Sequence, residues 1–169
     1  STALAIIQVS ETVTVTAKEN LYITSSTKLL NKGTIKANAI KSLTSSNPKI
    51  YLNGGQIDTE ENAAEIYYPI KLAYNKNAGV VSTGSGETIS LDPGVYYGKN
   101  EQNISVYIST SIGYQMKSAI VKKDSETTGS ELAVSGYNYS FDMPDESVTI
   151  VVTFEGLPIT IKKAAADPC

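Results

Sequence analysis

The sequence predicts an all-β protein: an antiparallel, jelly-roll-like β-sandwich followed by a small β-rich module. Three observations carry that expectation. Residues 11–16, "ETVTVT", alternate strictly, with Val13 and Val15 on one side and Thr12, Thr14 and Thr16 on the other, which is the period of a strand with one wet face. Tyr, Thr, Val and Ile are plentiful, and these suit a pleated, half-buried surface. Short apolar runs recur between Asn, Gly and Pro punctuation, the rhythm of sandwiches and barrels.

Strands are expected in order at 11–16, 20–25 "NLYITS", 49–53 "KIYLN", 65–74 "EIYYPIKLAY", 87–91 "ETISL" and 103–110 "NISVYIST". Turn chemistry divides them: "NKGT" at 31–34, "NGG" at 53–55, "GSG" at 84–86 and "DPG" at 92–94. Pro69 marks its strand as an edge or a bulge, because proline cannot donate to a ladder. "DTEENAAEI" is the one helical hint, with Asp58 as a cap and Glu61 three residues on. It reads as one or two turns linking strands. Residues 20–57 repeat loosely as apolar strand then Asn or Gly turn, as two coils of a β-solenoid would. Two coils bury too little core to stand alone, so the sandwich is the preferred reading. From Ser111 the texture tightens, with strands near 116–122, 131–135, 137–143 and 147–154 around the loop "KDSETTGS". A boundary is therefore expected near Thr110, giving a sandwich over 1–110, a small module over 111–162 and a tail over 163–169.

Composition narrows the chemistry. The 169 residues contain no His, and all 14 basic residues are Lys. The absent imidazole removes the usual proton shuttle and the commonest metal ligand. The absent guanidinium removes bidentate clamps for phosphate or carboxylate. With a net charge of -3, nothing draws the chain to a nucleic-acid backbone. No catalytic residue, metal or cofactor is expected, and no nucleic-acid partner. No stretch approaches the ~20 apolar residues of a membrane helix. Ser1 in place of Met fits a mature chain whose leader is gone, though a trimmed chain would look the same. Cys169 stands alone at the end, either an intermolecular bridge or attachment point or a tail residue with no role.

Residues 139–155, "YSFDMPDESVTIVVTFE", gather three acids between two strand patterns. Tyr139, Phe141 and Met143 share one face, and Val148, Ile150, Val152 and Phe154 share another. Asp142, Asp145 and Glu146 fall on the solvated side and the turn, without the alternating ligands and central Gly of a calcium loop. Together with Gly113 and Tyr114, the run Phe141-x-Met143-Pro144 followed by Val148, Thr149, Ile150 and Phe154 resembles the divergent internalin-type B-repeat of Gram-positive surface proteins. The match covers about a quarter of the chain, in a single copy. The resemblance implies a small β-grasp-like spacer or adhesive module, extracellular and not catalytic.

Other motifs weigh less. "SSTK" at 25–28 matches a penicillin-recognising pattern, but Ser25 falls in a strand–turn context rather than at a helix start. "GLPIT" at 156–160 resembles a sortase signal with Ile161 where Gly is required. Asn103 and Asn138 head glycosylation patterns that matter only in a glycosylating host. Lys–Asn isopeptide bonds are chemically available among so many Lys, Asn and acids, but no spacing identifies a pair. Tyr67-Tyr68 and Tyr96-Tyr97 are candidate glycan contacts, since neighbours in a strand face opposite sides. The alternative is that these rings sit half-buried as strand formers with a polar tip.

"STALAIIQVS" is apolar from Ala3 to Ile7, with no charge before Glu11. A strand apolar on both faces must be covered on both. It either lies within its own fold or adds to a neighbouring subunit's sheet, with Ala3, Leu4, Ala5, Ile6, Ile7 and Val9 as the donated strand. The functional expectation is a secreted structural subunit of a bacterial surface filament, pilus or coat, a homopolymer built by that addition. The alternative is an adhesin or carbohydrate-binding module that uses exposed tyrosines on glycans or a host surface.

Overall fold

The computed structural model describes residues 6–90, 92–135 and 138–158, and every element among them is a strand. The protein is all-β. Residues 6–64, however, do not pair as an antiparallel jelly roll. They wind into three coils of a parallel β-solenoid. The first coil carries β1 (Ile6–Val9), β2 (Thr14–Thr16) and β3 (Asn20–Ile23). The second carries β4 (Lys28–Asn31), β5 (Thr34–Lys36) and β6 (Ala39–Ser42). The third carries β7 (Lys49–Leu52), β8 (Gln56–Asp58) and β9 (Glu61–Asn62).

Each strand stacks in parallel on its counterpart in the next coil, so three faces enclose one interior. Equivalent positions form columns: Ile7–Leu29–Ile50–Ile66, Val15–Ile35–Ile57 and Leu21–Ile40. These columns, with Val9 and Ile23, make the solenoid core. Alternation alone suits either architecture. What selects the solenoid is that apolar residues return at the same place in successive coils, while the corners satisfy their own polar groups. Asn31 shows this. Its buried side chain donates from Nδ2 to the Gln56 carbonyl at 3.0 Å and accepts at Oδ1 from the Gly33 N–H at 3.1 Å. The helical hint around Asp58 gives way for the same reason, because Glu61 and Asn62 extend the third face against Ala39 and Ile40.

β10 (Glu65–Tyr74) joins the solenoid to a sandwich. Its start pairs in parallel with β7 through Tyr67. From Ile70 it pairs in parallel with β19 (Val148–Gly156). Pro69 lies at the changeover, so its missing N–H takes nothing from either parallel ladder. The remaining strands are β11 (Gly79–Thr83), β12 (Glu87–Thr88), β13 (Tyr96–Lys99), β14 (Asn103–Thr110), β15 (Tyr114–Lys123), β16 (Ser130–Glu131), β17 (Ala133–Ser135) and β18 (Asn138–Asp142). One sheet runs β10-β19-β15-β16, the other β11-β14-β18-β17. Ile70, Val81, Ile104, Val106, Phe141, Met143, Val148, Ile150 and Val152 are buried between them.

The strands on either side of Thr110 pair with one another: β14 with β18, and β10 with β19. Strands from both sides of Thr110 thus contribute to one core, and the sandwich expected over 1–110 forms from strands of the later part of the chain instead. The "YSFDMPDESVTIVVTFE" pattern supplies both halves of that core, because β18 and β19 lie in opposite sheets and the acidic turn crosses between them. Asp142 and Asp145 are exposed, and Glu146 accepts hydrogen bonds from the Ser125 N–H and hydroxyl at 3.0 and 2.8 Å. The acids dress a turn.

Candidate functional site

The outward side of the β4-β7-β10 face carries Leu30, Tyr51 and Tyr67 in register. Such a row cannot face water, and it does not. The segment from β12 to β13 lies over it, and Ile89, Val95 and Tyr97 complete a second small core. Tyr51 is fully buried, stacked on Tyr67 at 5.1 Å between ring centroids and edge-on to Tyr97 at 5.2 Å.

Two carboxylates fasten this covering segment. Glu87 accepts from the Lys49 ammonium at 2.6 Å and the Tyr51 hydroxyl at 2.5 Å, with Lys28 at 3.8 Å. Asp92, nearly buried, accepts from Lys32 Nζ at 3.1 Å, from Asn53 Nδ2 at 2.7 Å and from the Tyr97 hydroxyl. Burial opposes ionisation of both acids, but these donors outweigh it and hold both below the usual carboxylate range. Burial and the adjacent carboxylates push the Tyr51 and Tyr97 hydroxyls up, so both stay donors. Glu65 is held low chiefly by the Lys99 ammonium at 2.8 Å.

A carboxylate whose pKa falls on folding stabilises the fold fully above its unfolded value. That contribution disappears as pH drops through the folded value. With ordinary values of 3.8 for Asp92 and 4.5 for Glu87, the thermal midpoint should be level above about pH 5 and fall steeply below about pH 4. The double variant Asp92→Asn/Glu87→Gln should be less stable at neutral pH and show a shallower acid limb in a circular-dichroism pH series. An unchanged limb would mean that other carboxylates govern acid unfolding.

At the other end of the solenoid, no described residue stacks on the outer side of the first coil. Ile7 points inward, in column with Leu29 and Ile50, yet is 48% exposed. It lines an apolar cavity of about 260 Å³ with Val15, Leu21, Ile23, Leu29 and Ile35. Among the described residues β1, β2 and β3 each have one ladder partner, so their outer edges face away from the fold unpaired. None of the three contains a charge or a proline, the devices that usually guard a free edge. The two-residue strands β9 and β16, each with a glutamate, end their sheets far less invitingly.

The expected donor strand is divided by these findings. Ile6–Val9 pair with Lys28–Asn31 of the same chain, and Val9 is buried in its own core. Ala3, Leu4 and Ala5 lie outside the described residues, as do Cys169 and the end of "GLPIT". The tyrosine pairs do not form an exposed platform. Tyr67 and Tyr97 are buried beneath the covering segment, and Tyr68 and Tyr96 are half-buried against the sandwich core. Their outward positions are covered by another part of the chain, which alternation cannot reveal. Among the described residues, Tyr22 and Tyr107 are the exposed rings, 53% and 50% accessible. Sequence reasoning missed Glu87 and Asp92, whose hydrogen-bond partners on the solenoid lie 36 to 60 residues away. The "DPG" turn was the only local sign of either.

No protein-family model matches the chain, and no curated protein or solved structure matches it.

Proposed function

We propose that the chain is an extracellular structural module of a bacterial surface filament, pilus or coat, joined to its neighbour by β-strand addition at the first solenoid coil. The supporting observation is that, among the described residues, β1, β2 and β3 offer three strand edges without charge or proline around one apolar cavity. Added strands would satisfy the free backbone groups and cover Ile7, Val15 and Leu21, as a further coil does in longer solenoids. The neighbour is a second copy. The B-repeat resemblance of the C-terminal strands agrees with a spacer at a cell surface. The glycan-binding alternative loses support, because its four tyrosines serve the two cores.

Light scattering across a concentration series tests this. The wild-type chain should grow beyond a monomer, and Ile7→Lys, which charges the rim at a half-exposed position, should shift the equilibrium toward monomer without unfolding. A wild-type chain that stays monomeric at high concentration would sink the proposal.

A further inference from the structure

The Asp92 cluster holds more than a clamp needs. Lys32 follows β4 and Asn53 follows β7, and the pair before them, Asn31 and Leu52, is in register. The Lys32 N–H donates to the Val9 carbonyl and the Asn53 N–H to the Asn31 carbonyl, each reaching back one coil. Lys32 and Asn53 are therefore the same corner in successive coils, one strand spacing apart, about 4.8 Å. One carboxylate binds both side chains, Lys32 Nζ on Oδ1 at 3.1 Å and Asn53 Nδ2 on Oδ2 at 2.7 Å. The buried Tyr97 hydroxyl fixes Oδ2 from a third direction. An amine, a primary amide and a carboxylate touching both are the components of an aminolysis, held together at no further entropic cost.

We propose that Lys32 and Asn53 become joined by an intramolecular amide bond formed on Asp92, a modification site that staples the second coil to the third. Asp92 takes a proton from the Lys32 ammonium, and the freed Nζ attacks Cγ of Asn53. A new Nζ–Cγ bond forms and the Cγ–Nδ2 bond breaks, with Nδ2 leaving as ammonia. The Lys32 nitrogen gives up two protons. Asp92 relays one to the departing nitrogen, and the other goes to solvent, where ammonia is held as ammonium. Asp92 ends as the carboxylate it began, and no oxidant or reductant is involved. Asp92 is the catalytic residue of this step, and Tyr97 is a positioning residue. The product crosses the stacking direction, where coils are otherwise held by short ladders, so it resists their separation under tension.

Intact mass spectrometry of the purified, denatured full chain decides the matter. The wild type should weigh one ammonia less than its sequence. Digestion with a lysine-specific protease should leave Lys32 uncut, in a branched peptide that contains Asn53. Lys32→Arg, which keeps the ion pair and the fold, should restore the full mass, as should Asp92→Asn if it folds. A wild-type chain at full mass overturns the proposal. So does an ammonia loss that persists in Lys32→Arg, because that marks a cyclic imide at Asn53-Gly54 rather than a cross-link.

Discussion

Alanine at Tyr51 is expected to destabilise the protein by about 4 kcal/mol, the cost typical of emptying a buried aromatic site. For a chain of this size that lowers the thermal midpoint by roughly 10 °C. The ring is fully buried between Tyr67 and Tyr97. Its hydroxyl also supplies one of the two shortest bonds to Glu87. Truncation therefore leaves both a cavity and a less satisfied carboxylate beneath the covering segment. Tyr51→Phe separates the two effects, since it keeps the ring and removes only the hydroxyl, for about 1 to 2 kcal/mol. Denaturant unfolding of both variants measures the split. If Tyr51→Ala lies within 1 kcal/mol of wild type, the β12–β13 segment does not cover the solenoid face as described.

Gly33→Ala should cost about 1 to 3 kcal/mol, the range for forcing atoms into a filled site, with the damage directed at the first coil. A Cβ at residue 33 would overlap the carbonyl oxygens of Ser10 and Val13 and press on Val9. Those oxygens belong to the backbone of the preceding coil and cannot rotate away, so relief requires the coils to move apart. The Lys32 N–H to Val9 and Thr34 N–H to Val13 hydrogen bonds, 2.9 and 3.0 Å long, span that gap. Their amides should exchange faster in Gly33→Ala while those of β14 and β19 keep their protection. Gly54→Ala is the contrast. Its φ of +78° strains any L side chain, but nothing lies within 4 Å of the added carbon. It should cost about 1 to 2 kcal/mol without singling out the first coil. Equal exchange patterns in the two variants would argue against close backbone contact at Gly33.

These expectations show what was legible and what was not. Alternation identified strand faces well. Val15 points into the core, and Phe141, Met143, Val148, Ile150 and Val152 are core residues, as their spacing required. Punctuation located corners, including "NKGT" and "NGG", where Gly33 and Gly55 pass close to the backbone of the preceding coil. The solenoid pattern over 20–57 is visible in the sequence, but two coils cannot bury a core. The structure meets that objection with a third coil and a sandwich abutting it through β10. The columns Ile7–Leu29–Ile50 and Val15–Ile35–Ile57 were the signal that would have decided it, but unequal corner loops blur the period.

By itself the sequence determined the all-β class, the inward face of most strands, the turn character of the acidic "MPDES" stretch and the absence of His and Arg chemistry. Each of these depends on one residue or on neighbours within a few positions. Only the tertiary structure decided parallel stacking over antiparallel pairing, the burial of Tyr67 and Tyr97, the joining of strands across Thr110, and the meeting of Lys32, Asn53 and Asp92. The physical reason is common to all four. A strand's side-chain period is the same whatever lies beside it, so alternation fixes which way a residue points but not what it meets there. The partner is chosen by long-range packing.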